Sequence, residues 1–308
     1  MRVLLAGASG ALGRQLAPQL LAAGHGVLGI TRSPERAERL RSMGADAVVA
    51  DVLDRDALLA SLTGQRADAV MHQLTALSKP PLFYGSMTAT NVLREKGTAH
   101  LIESAHLVGA TRMITQSIVL GYGFRSHHPA PVDESVPFGV PEGTGADPTF
   151  AALVSAEQQV FTASGLEGIA LRYGIFYGED VRTVATSLRR RMLPVTSWDG
   201  AIPFVHHADA ASAAVAALDR GRAGTAYNTA SEERVSWREY VETASRVLRL
   251  PAPLRVPVGV LRAAAPYAGE FMTRIDLQVS AQRARDELAW EPRFSTVEQG
   301  LSDAKSLL

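Results

Sequence analysis

The chain of 308 residues is long enough for one large domain with a smaller lobe, and its 31 basic residues balance 31 acidic ones. This balance argues against a nucleic-acid partner, and the absence of cysteine excludes disulfides, thiolate metal sites and a thiol nucleophile. No apolar run approaches the length that spans a bilayer, so we expect a soluble, cytoplasmic protein without a metal site, either a monomer or a homodimer.

The first half of the chain alternates short aliphatic runs with amphipathic stretches. This rhythm is typical of a doubly wound parallel sheet, so the sequence predicts an α/β, Rossmann-type fold with roughly seven parallel strands. The predicted strands cover Arg2 to Ala6, Gly26 to Thr31, Ala47 to Ala50, Ala69 to Gln73, Thr111 to Ser117 and Gly168 to Tyr173. The predicted helices cover Gly10 to Ala23, Pro34 to Met43, Thr88 to Val108 and Thr149 to Ser164.

After Gly178 the pattern loosens into shorter helical units. We assign residues 1–178 to the large domain and 179–308 to a smaller, mainly helical C-terminal lobe. Neither a low-complexity tract nor a repeat separates them, so the two parts are expected to interleave as one compact unit. The predicted helices of the lobe are His207 to Asp219, Ser236 to Leu248, Val258 to Ala268, Ser280 to Leu288 and Val297 to Leu308.

A glycine-rich turn follows the first predicted strand and opens the first predicted helix. Glycines in this place permit a tight turn, and they let backbone N–H groups approach a pyrophosphate at the helix N-terminus. Residues 1–178 are therefore predicted to bind a dinucleotide, and residues 179–308 are predicted to bind the substrate. The predicted contacts in the turn are Gly7, Ser9, Gly10, Ala11, Leu12 and Gly13.

The end of the second predicted strand lacks the acidic residue that usually binds the ribose hydroxyls of NAD. Thr31 is followed there by Arg32, Ser33 and Arg36, and Arg32 can stack on adenine and pair with a 2′-phosphate. NADP(H) is therefore favoured, with NAD(H) as the alternative cofactor. The two arginines could instead simply solvate the start of a helix.

Two more segments follow predicted strands and are assigned to the cofactor. Asp51 and Val52 would lie at the adenine edge, and Gln73, Leu74 and Thr75 would pass under the nicotinamide ribose. An Asp in such a place can also be an ordinary turn or helix-capping residue.

Five segments, in the same order, resemble motifs of the extended short-chain dehydrogenase/reductase superfamily, the NAD-dependent epimerase/dehydratases. The resemblance implies an NAD(P)-dependent enzyme, and it places Tyr173, Gly174 and Phe176 beside the nicotinamide. The similar segments are Asn91 to Thr98, Arg112 to Ser117 with the active-site Ser, Leu171 to Gly178, Phe204 to Ala211 and Leu288 to Pro292.

The chain departs from this family at its catalytic pair. Members carry Tyr-x-x-x-Lys with a Glu four residues after the Lys; if Glu157 is that Glu, Leu153 stands at the Lys position and Thr149 at the Tyr position. The chain has no Lys between Lys96 and Lys305, so no shift of register restores the pair. The resemblance is therefore to an atypical subgroup, similar to polyketide-tailoring ketoreductases of the angucyclinone type.

Without that pair, the proton for a newly formed alkoxide must come from elsewhere. Ser117 is the first candidate for orienting a carbonyl, and Tyr122 is a candidate substitute acid. A lone Ser is a poor acid, so a ketone with a neighbouring phenol, which stabilises its own oxyanion, would suit the site. The other candidate acids are Tyr84, Tyr177, His127, His128, His206 and His207, although packing roles fit Tyr177 and His206 better.

Two segments, Ser78 to Gly85 and Gly121 to Asp147, border the predicted hydride site and carry aromatic residues. Phe83, Tyr84 and Phe124 are predicted to line an apolar substrate pocket. Arg189, Arg190 and Arg191 would suit a diphosphate instead, although a solvated helix end explains them as well.

These features predict an NADPH-dependent ketoreductase that acts on a hydrophobic ketone, with aromatic polyketides of antibiotic biosynthesis as the type. Two alternatives stay open because both tolerate loss of the Tyr/Lys pair. One is a non-redox lyase or cyclase, and the other is a regulatory protein that senses NADP(H).

Overall fold

The computed structural model describes residues 1–77, 79–127 and 129–308. Within them, a central sheet of seven parallel strands runs in the order β3-β2-β1-β4-β5-β6-β9, and β7 pairs with β8 in a small second sheet. The strands are β1 (Arg2–Ala6), β2 (Gly26–Thr31), β3 (Asp46–Val49), β4 (Ala69–His72), β5 (Arg112–Ile118), β6 (Glu167–Tyr173), β7 (Ile175–Tyr177), β8 (Phe204–His206) and β9 (Thr225–Thr229). This architecture confirms the predicted Rossmann-type fold.

Helices cover both faces of the central sheet, so its inner strands read as largely apolar runs, whereas β9 at the edge is polar. Alternate residues of β1 enter separate cores: Val3 and Leu5 pack on one face, and Leu4 and Ala6 on the other. The helices are α1 (Ala11–Ala22), α2 (Pro34–Ser42), α3 (Arg55–Leu62), α4 (Thr88–Val92), α5 (Thr98–Val108), α6 (Asp147–Thr162), α7 (Val181–Arg189), α8 (His207–Arg220), α9 (Trp237–Leu248), α10 (Val258–Ala264), α11 (Pro266–Arg274), α12 (Gln282–Leu288) and α13 (Val297–Ala304).

Three strands, β7, β8 and β9, were not predicted from the sequence. β9 lies beyond residue 178 yet pairs with β6 as the seventh strand of the central sheet, and α8 packs against α1. The central sheet therefore draws on both sides of the boundary placed at 178. β7 and β8 form a parallel pair that leads from the sheet into the C-terminal lobe.

Two helices that were predicted as single units are interrupted. The segment predicted as one helix from Thr88 to Val108 contains a π-helical turn, Leu93–Gly97, between α4 and α5. π turns inside helices often mark functional sites. The helix predicted from Val258 to Ala268 is broken at Ala265 because Pro266 starts a new helix, α11.

A third core lies between the sheet and the C-terminal lobe. It combines residues that follow β5, such as Tyr122 and Phe124, with Phe150 of α6 and Ile275 and Leu277 of the lobe. Among the described residues, no helix is long and apolar enough to cross a membrane.

Candidate dinucleotide and substrate site

The glycine-rich turn after β1 contains two glycines at positions where the packing leaves no room for a side chain. Gly7 has φ +95°, and a Cβ on it would lie 2.6 Å from the carbonyl oxygen of Gln73. A Cβ on Gly13 would lie 2.2 Å from the carbonyl oxygen of Gly7. Both clashes are with backbone atoms, so the turn fits closely between α1 and the end of β4 only with glycine at these positions.

Among residues 1–77, 79–127 and 129–308, no side chain caps the N-terminus of α1. Gly10 is its N-cap, and its first turn has no acidic residue, whereas α2 is capped by Ser33 and α3 by Asp54. The first N–H groups of a helix have no intrahelical acceptor, so those of Ala11, Leu12 and Gly13 can bind an anion. Beside them, the Ser9 hydroxyl lies 3.3 Å from the Thr31 hydroxyl.

At the end of β2, the two arginine side chains are exposed, while the Ser33 hydroxyl is engaged in hydrogen bonds. Arg32 is 79% exposed, its Nη1 lies 3.7 Å from Oδ2 of Asp51, and Arg36 is exposed. The Ser33 hydroxyl accepts from the backbone N–H of Arg36 and donates to Glu35. Arg32 and Arg36, rather than Ser33, are therefore the groups available for a 2′-phosphate.

The predicted adenine contacts differ in accessibility. Asp51 is partly exposed, and its Oδ1 accepts a hydrogen bond from the backbone N–H of Leu53. Val52 is buried in the core, and its carbonyl oxygen lies 2.8 Å from Nδ1 of His100. Asp51 can therefore reach a ligand with its side chain, whereas the Val52 side chain cannot.

Four buried polar side chains lie at the carboxyl ends of neighbouring strands and have no hydrogen-bond partner in the described part of the chain. They are Gln73 after β4, Ser117 in β5, Tyr173 in β6 and Thr229 in β9. Buried polar groups are normally paired, so this set fits a polar ligand such as a nicotinamide ribose and its carboxamide. We call this group of four the orphan edge.

Around the orphan edge, other predicted contacts are placed as follows. Leu74 is half-buried and its carbonyl oxygen accepts from Nε2 of Gln116, while Thr75 is exposed. The Phe176 ring stacks on His207 at 5.1 Å. A Cβ on Gly174 would lie 2.9 Å from the Pro203 carbonyl oxygen, so glycine allows β6 and β8 to approach closely.

The helix α6 carries no ionisable group at the two positions matched to the catalytic pair. Leu153 is fully buried, and Oγ1 of Thr149 accepts from Nδ2 of Asn91 at 3.4 Å. One turn on, Glu157 accepts two hydrogen bonds from Arg172, at 2.9 Å and 2.7 Å, in a buried ion pair. Glu157 therefore joins α6 to β6.

Tyr122 lies inside the protein, which corrects its prediction as an acid facing the substrate. Its hydroxyl donates to Oδ1 of Asn228 at 2.9 Å and accepts from Nη1 of Arg172 at 3.0 Å. Burial raises the pKa of Tyr122 despite the nearby guanidinium. A phenol that is enclosed, bonded and hard to ionise serves as a structural link.

The three predicted substrate contacts separate into two groups. Phe83 is 53% exposed and Tyr84 is half-buried, with its ring edge-on to Tyr267 at 5.9 Å. Phe124 is fully buried behind them, 5.6 Å from the Tyr267 ring, so it is a core residue and that prediction is corrected. Phe83 and Tyr84 are accessible and the buried Tyr267, 4% exposed, packs behind them; we call these three residues the aromatic wall.

The candidate histidines make structural contacts. Nε2 of His127 lies 3.0 Å from the Tyr122 carbonyl oxygen, and Nδ1 of His207 lies 2.7 Å from that of Tyr177. Burial lowers the pKa of His207 to about 4, so it is neutral at pH 7. His206 is buried, while His128 and Ser78 lie outside the described residues.

Two residues of this region, Tyr267 and Arg94, were not predicted from the sequence. Tyr267 lies on α11, where one aromatic in a helix of the lobe gives no local signal. Arg94 lies in the π turn and is 5% exposed. In the sequence, an Arg that stands directly before Glu95 and Lys96 resembles an ordinary surface residue, and only the fold shows that it is buried. Arg189 to Arg191, in contrast, are exposed at the end of α7.

The sheet order, with its reversal between β1 and β4, and the uncapped glycine turn define a dinucleotide-binding protein of the Rossmann class. The chain belongs to the NAD-dependent epimerase/dehydratase family, whose model matches residues 3–230. The family binds NAD(P), and solved structures of this fold hold NADPH or NAD.

Similar proteins include reductases. A 3-diazoavenalumate denitrifying reductase from a Streptomyces species is 35% identical, over 98% of this chain and 99% of the relative. A 4-hydroxy-2-methyl-3-oxo-4-farnesyl-3,4-dihydroquinoline-1-oxide ketoreductase from Stigmatella aurantiaca is 27% identical, over 89% of this chain and 81% of the relative. A UDP-glucose 4-epimerase from Thermotoga maritima shares the fold, with TM-score 0.79 at 18% identity over 99% of this chain and 98% of that one. Together, the family and its named members support an NAD(P)-dependent oxidoreductase of the reductase type.

Proposed function

We propose that the chain is an NADPH-dependent reductase of an aromatic small molecule whose reduction needs no side-chain acid. The observation that carries the proposal is the orphan edge beside α6. It offers Ser117 and Gln73 as unpaired polar groups, while Thr149 and Leu153 supply no acid on the neighbouring helix. Such a site can orient an acceptor but cannot deliver a proton efficiently.

The described residues fit a phosphorylated dinucleotide. The free N–H groups of α1 would hold the pyrophosphate, and Arg32 with Arg36 would hold the 2′-phosphate. Gln73 would take the nicotinamide ribose or its carboxamide. When bound, the reduced nicotinamide supplies a hydride.

Ketones of aromatic polyketide type, carrying a hydroxyl beside the carbonyl, are the first acceptor class. The Ser117 hydroxyl would donate a hydrogen bond to the carbonyl oxygen, and the neighbouring phenol of the substrate would stabilise the developing oxyanion. Burial raises the pKa of Tyr173 far above its usual range, and the nearby Gln73 amide, which makes no hydrogen bond of normal geometry to it, offsets this only in part. Tyr173 could therefore donate a hydrogen bond but would not serve as the acid.

A second acceptor class is favoured by the relative that acts on 3-diazoavenalumate. When a hydride adds to a carbon that bears a diazonium group, a C–H bond forms and the C–N bonding pair leaves with N2. No oxyanion arises, so no proton is required at that carbon. A site without a proton relay suits this reaction as well as the first one.

The test follows NADPH oxidation with three acceptors: a hydroxyaryl ketone, the same ketone without the hydroxyl, and a hydroxyarenediazonium salt with an enzyme-free control. Replacing Ser117 by Ala should lower kcat/KM for the hydroxyaryl ketone by roughly 100-fold and leave the diazonium reaction nearly unchanged. Ser104→Ala, a buried serine of α5 that bonds to the His100 carbonyl, is the matched control. If NADPH binds but no acceptor oxidises it, the lyase and the NADP(H)-sensing regulator replace the reductase.

A further inference from the structure

Arg94 is a buried guanidinium with most of its hydrogen-bonding capacity unused. It is 5% exposed, and Nη1 donates to Oδ1 of Asn91 at 3.3 Å. Nε is buried without an acceptor, and Nη2 makes no hydrogen bond within the described residues. Burial lowers the pKa of Arg94 to about 10, so it stays charged at pH 7.

No Asp or Glu pairs with Arg94 in the part of the chain that the structure describes; the electrostatic neighbour that stabilises its charge is Tyr267. A buried and unpaired cation is unfavourable, because the lost hydration is not replaced. Arg172 shows the usual solution in the same molecule, since its Nε and Nη2 bind both oxygens of Glu157. The corresponding edge of Arg94 meets no carboxylate among the residues that the structure describes.

The surroundings place this edge next to the substrate side of the crevice. His72, at the end of β4, lies near Arg94, and burial with this positive neighbour lowers the pKa of His72 to about 4, so it is no competing cation. Asn91 joins Arg94 to Thr149 on α6. Tyr267, the other neighbour of Arg94, belongs to the aromatic wall.

The aromatic wall also links Arg94 to the surface. The backbone N–H of Tyr267 donates to the carbonyl oxygen of Leu82 at 3.0 Å, so the segment before Tyr84 is fixed to α11. Leu82 and Phe83 are about half exposed, at 48% and 53%. An aromatic ligand that enters beside them would meet apolar rings first and the guanidinium at greater depth.

We propose that the Nε–Nη2 edge of Arg94 binds a carboxylate of the substrate, which makes the substrate an aromatic acid held with its ring against Tyr84, which the buried Tyr267 supports from behind. The planar fork of Arg matches a carboxylate in a bidentate fashion, as it does in the Arg172–Glu157 pair. This assignment rests on the proposed reductase function and names the substrate class for the same site.

The experiment titrates the enzyme first with NADP+ and then, in that complex, with 4-hydroxycinnamate and with its methyl ester, by calorimetry. The native complex should prefer the acid. Arg94→Met should weaken acid binding by about 10- to 100-fold without changing NADP+ or ester binding, and Arg94→Lys should recover part of the loss. Arg190→Met, which removes an exposed charge after α7, should have no effect.

Stability supplies a second readout. Because no described residue gives Arg94 an anionic partner, Arg94→Met should keep or raise the Tm of the free protein. The assignment is overturned if the acid does not bind, if the ester binds as well as the acid, if Arg94→Met keeps its affinity for the acid, or if that variant fails to fold. Failure of the first titration, with NADP+, would instead count against the proposed reductase.

Discussion

The two sides of the crevice are built from different parts of the chain. On the cofactor side, the site is formed mainly by backbone groups. Gly7 and Gly13 allow a tight turn, and the N-terminus of α1 presents N–H groups that no side chain of the described residues caps. On the substrate side, the aromatic wall is assembled from side chains of two distant segments, with Arg94 behind it. The cofactor side should therefore be sensitive to any added Cβ, whereas the substrate side can change its specificity by single substitutions.

The largest loss of stability should come from breaking the Arg172–Glu157 ion pair, which supports the substrate side. Arg172→Met leaves Glu157 buried without its partner, and breaking such a pair costs about 3–5 kcal/mol of unfolding free energy. Equilibrium denaturation measures the loss. The double variant Arg172→Met with Glu157→Leu removes both charges and should regain most of it; equal losses in the single and double variants would contradict the pairing argument.

The next largest effect should be a pH dependence of the unfolding free energy, caused by a buried histidine on the cofactor side. Burial lowers the pKa of His207, beneath Phe176, from 6.5 to about 4. His207 is therefore protonated below pH 6.5 in the unfolded chain, but only below about pH 4 in the folded chain. Stability from this group is complete above pH 6.5 and should fall by about 3 kcal/mol as the pH drops to 4.

The pH prediction is checked by equilibrium denaturation between pH 6.5 and pH 4. His207→Gln should reduce the dependence of the unfolding free energy on pH, whereas His106→Gln, at an exposed position, should leave it unchanged. His72 carries a shift of the same sign and adds to the slope. Asp180 opposes it, because burial raises its pKa to about 6 and the folded state then holds the extra proton. An unchanged slope in His207→Gln would show that His207 is accessible to protons.

Gly13→Ala should abolish cofactor binding and cause a smaller loss of stability than the changes above. The new Cβ would lie 2.2 Å from the Gly7 carbonyl oxygen and 2.5 Å from backbone atoms of Ala8, which cannot move independently of the turn. We expect about 1–3 kcal/mol of destabilisation and no measurable NADPH affinity by fluorescence titration. Gly259→Ala, where the Cβ meets nothing within 4 Å, is the matched control and should bind normally.

The cofactor side could be predicted from sequence because its determinants are local. Gly7, Gly10 and Gly13 stand at fixed spacing between a strand and a helix, and Arg32 follows the next strand directly. The six strands of the first half were found for the same reason, since each is a short apolar run between turn residues. β9 was missed because its sequence, Thr-Ala-Tyr-Asn-Thr, is polar, and only its place in the sheet buries it.

The substrate side resisted prediction because its contacts depend on distant pairing. Tyr122 and Phe124 both follow the Ser117 strand in the chain. Tyr122 is nevertheless buried, with its hydroxyl bonded to Arg172 and Asn228. Phe124 is buried against the rings of Phe150 and Tyr267. Arg94 is unusual because it is buried and no carboxylate of the described residues pairs with it. Neither fact can be read from the neighbouring residues.

The smallest effect should be on the choice between cofactors. Arg32 is 79% exposed and lies 3.7 Å from Asp51, so Arg32→Gln should leave stability nearly unchanged, as is usual for surface ion pairs. NADPH affinity should fall by about 10- to 100-fold while NADH affinity stays constant, because only the 2′-phosphate loses its partner. Arg39→Gln, on the same helix as Arg36 and also exposed, should change neither affinity. If Arg32→Gln weakens both cofactors equally, Arg32 acts by stacking on adenine, and the preference for NADP(H) must be carried by Arg36.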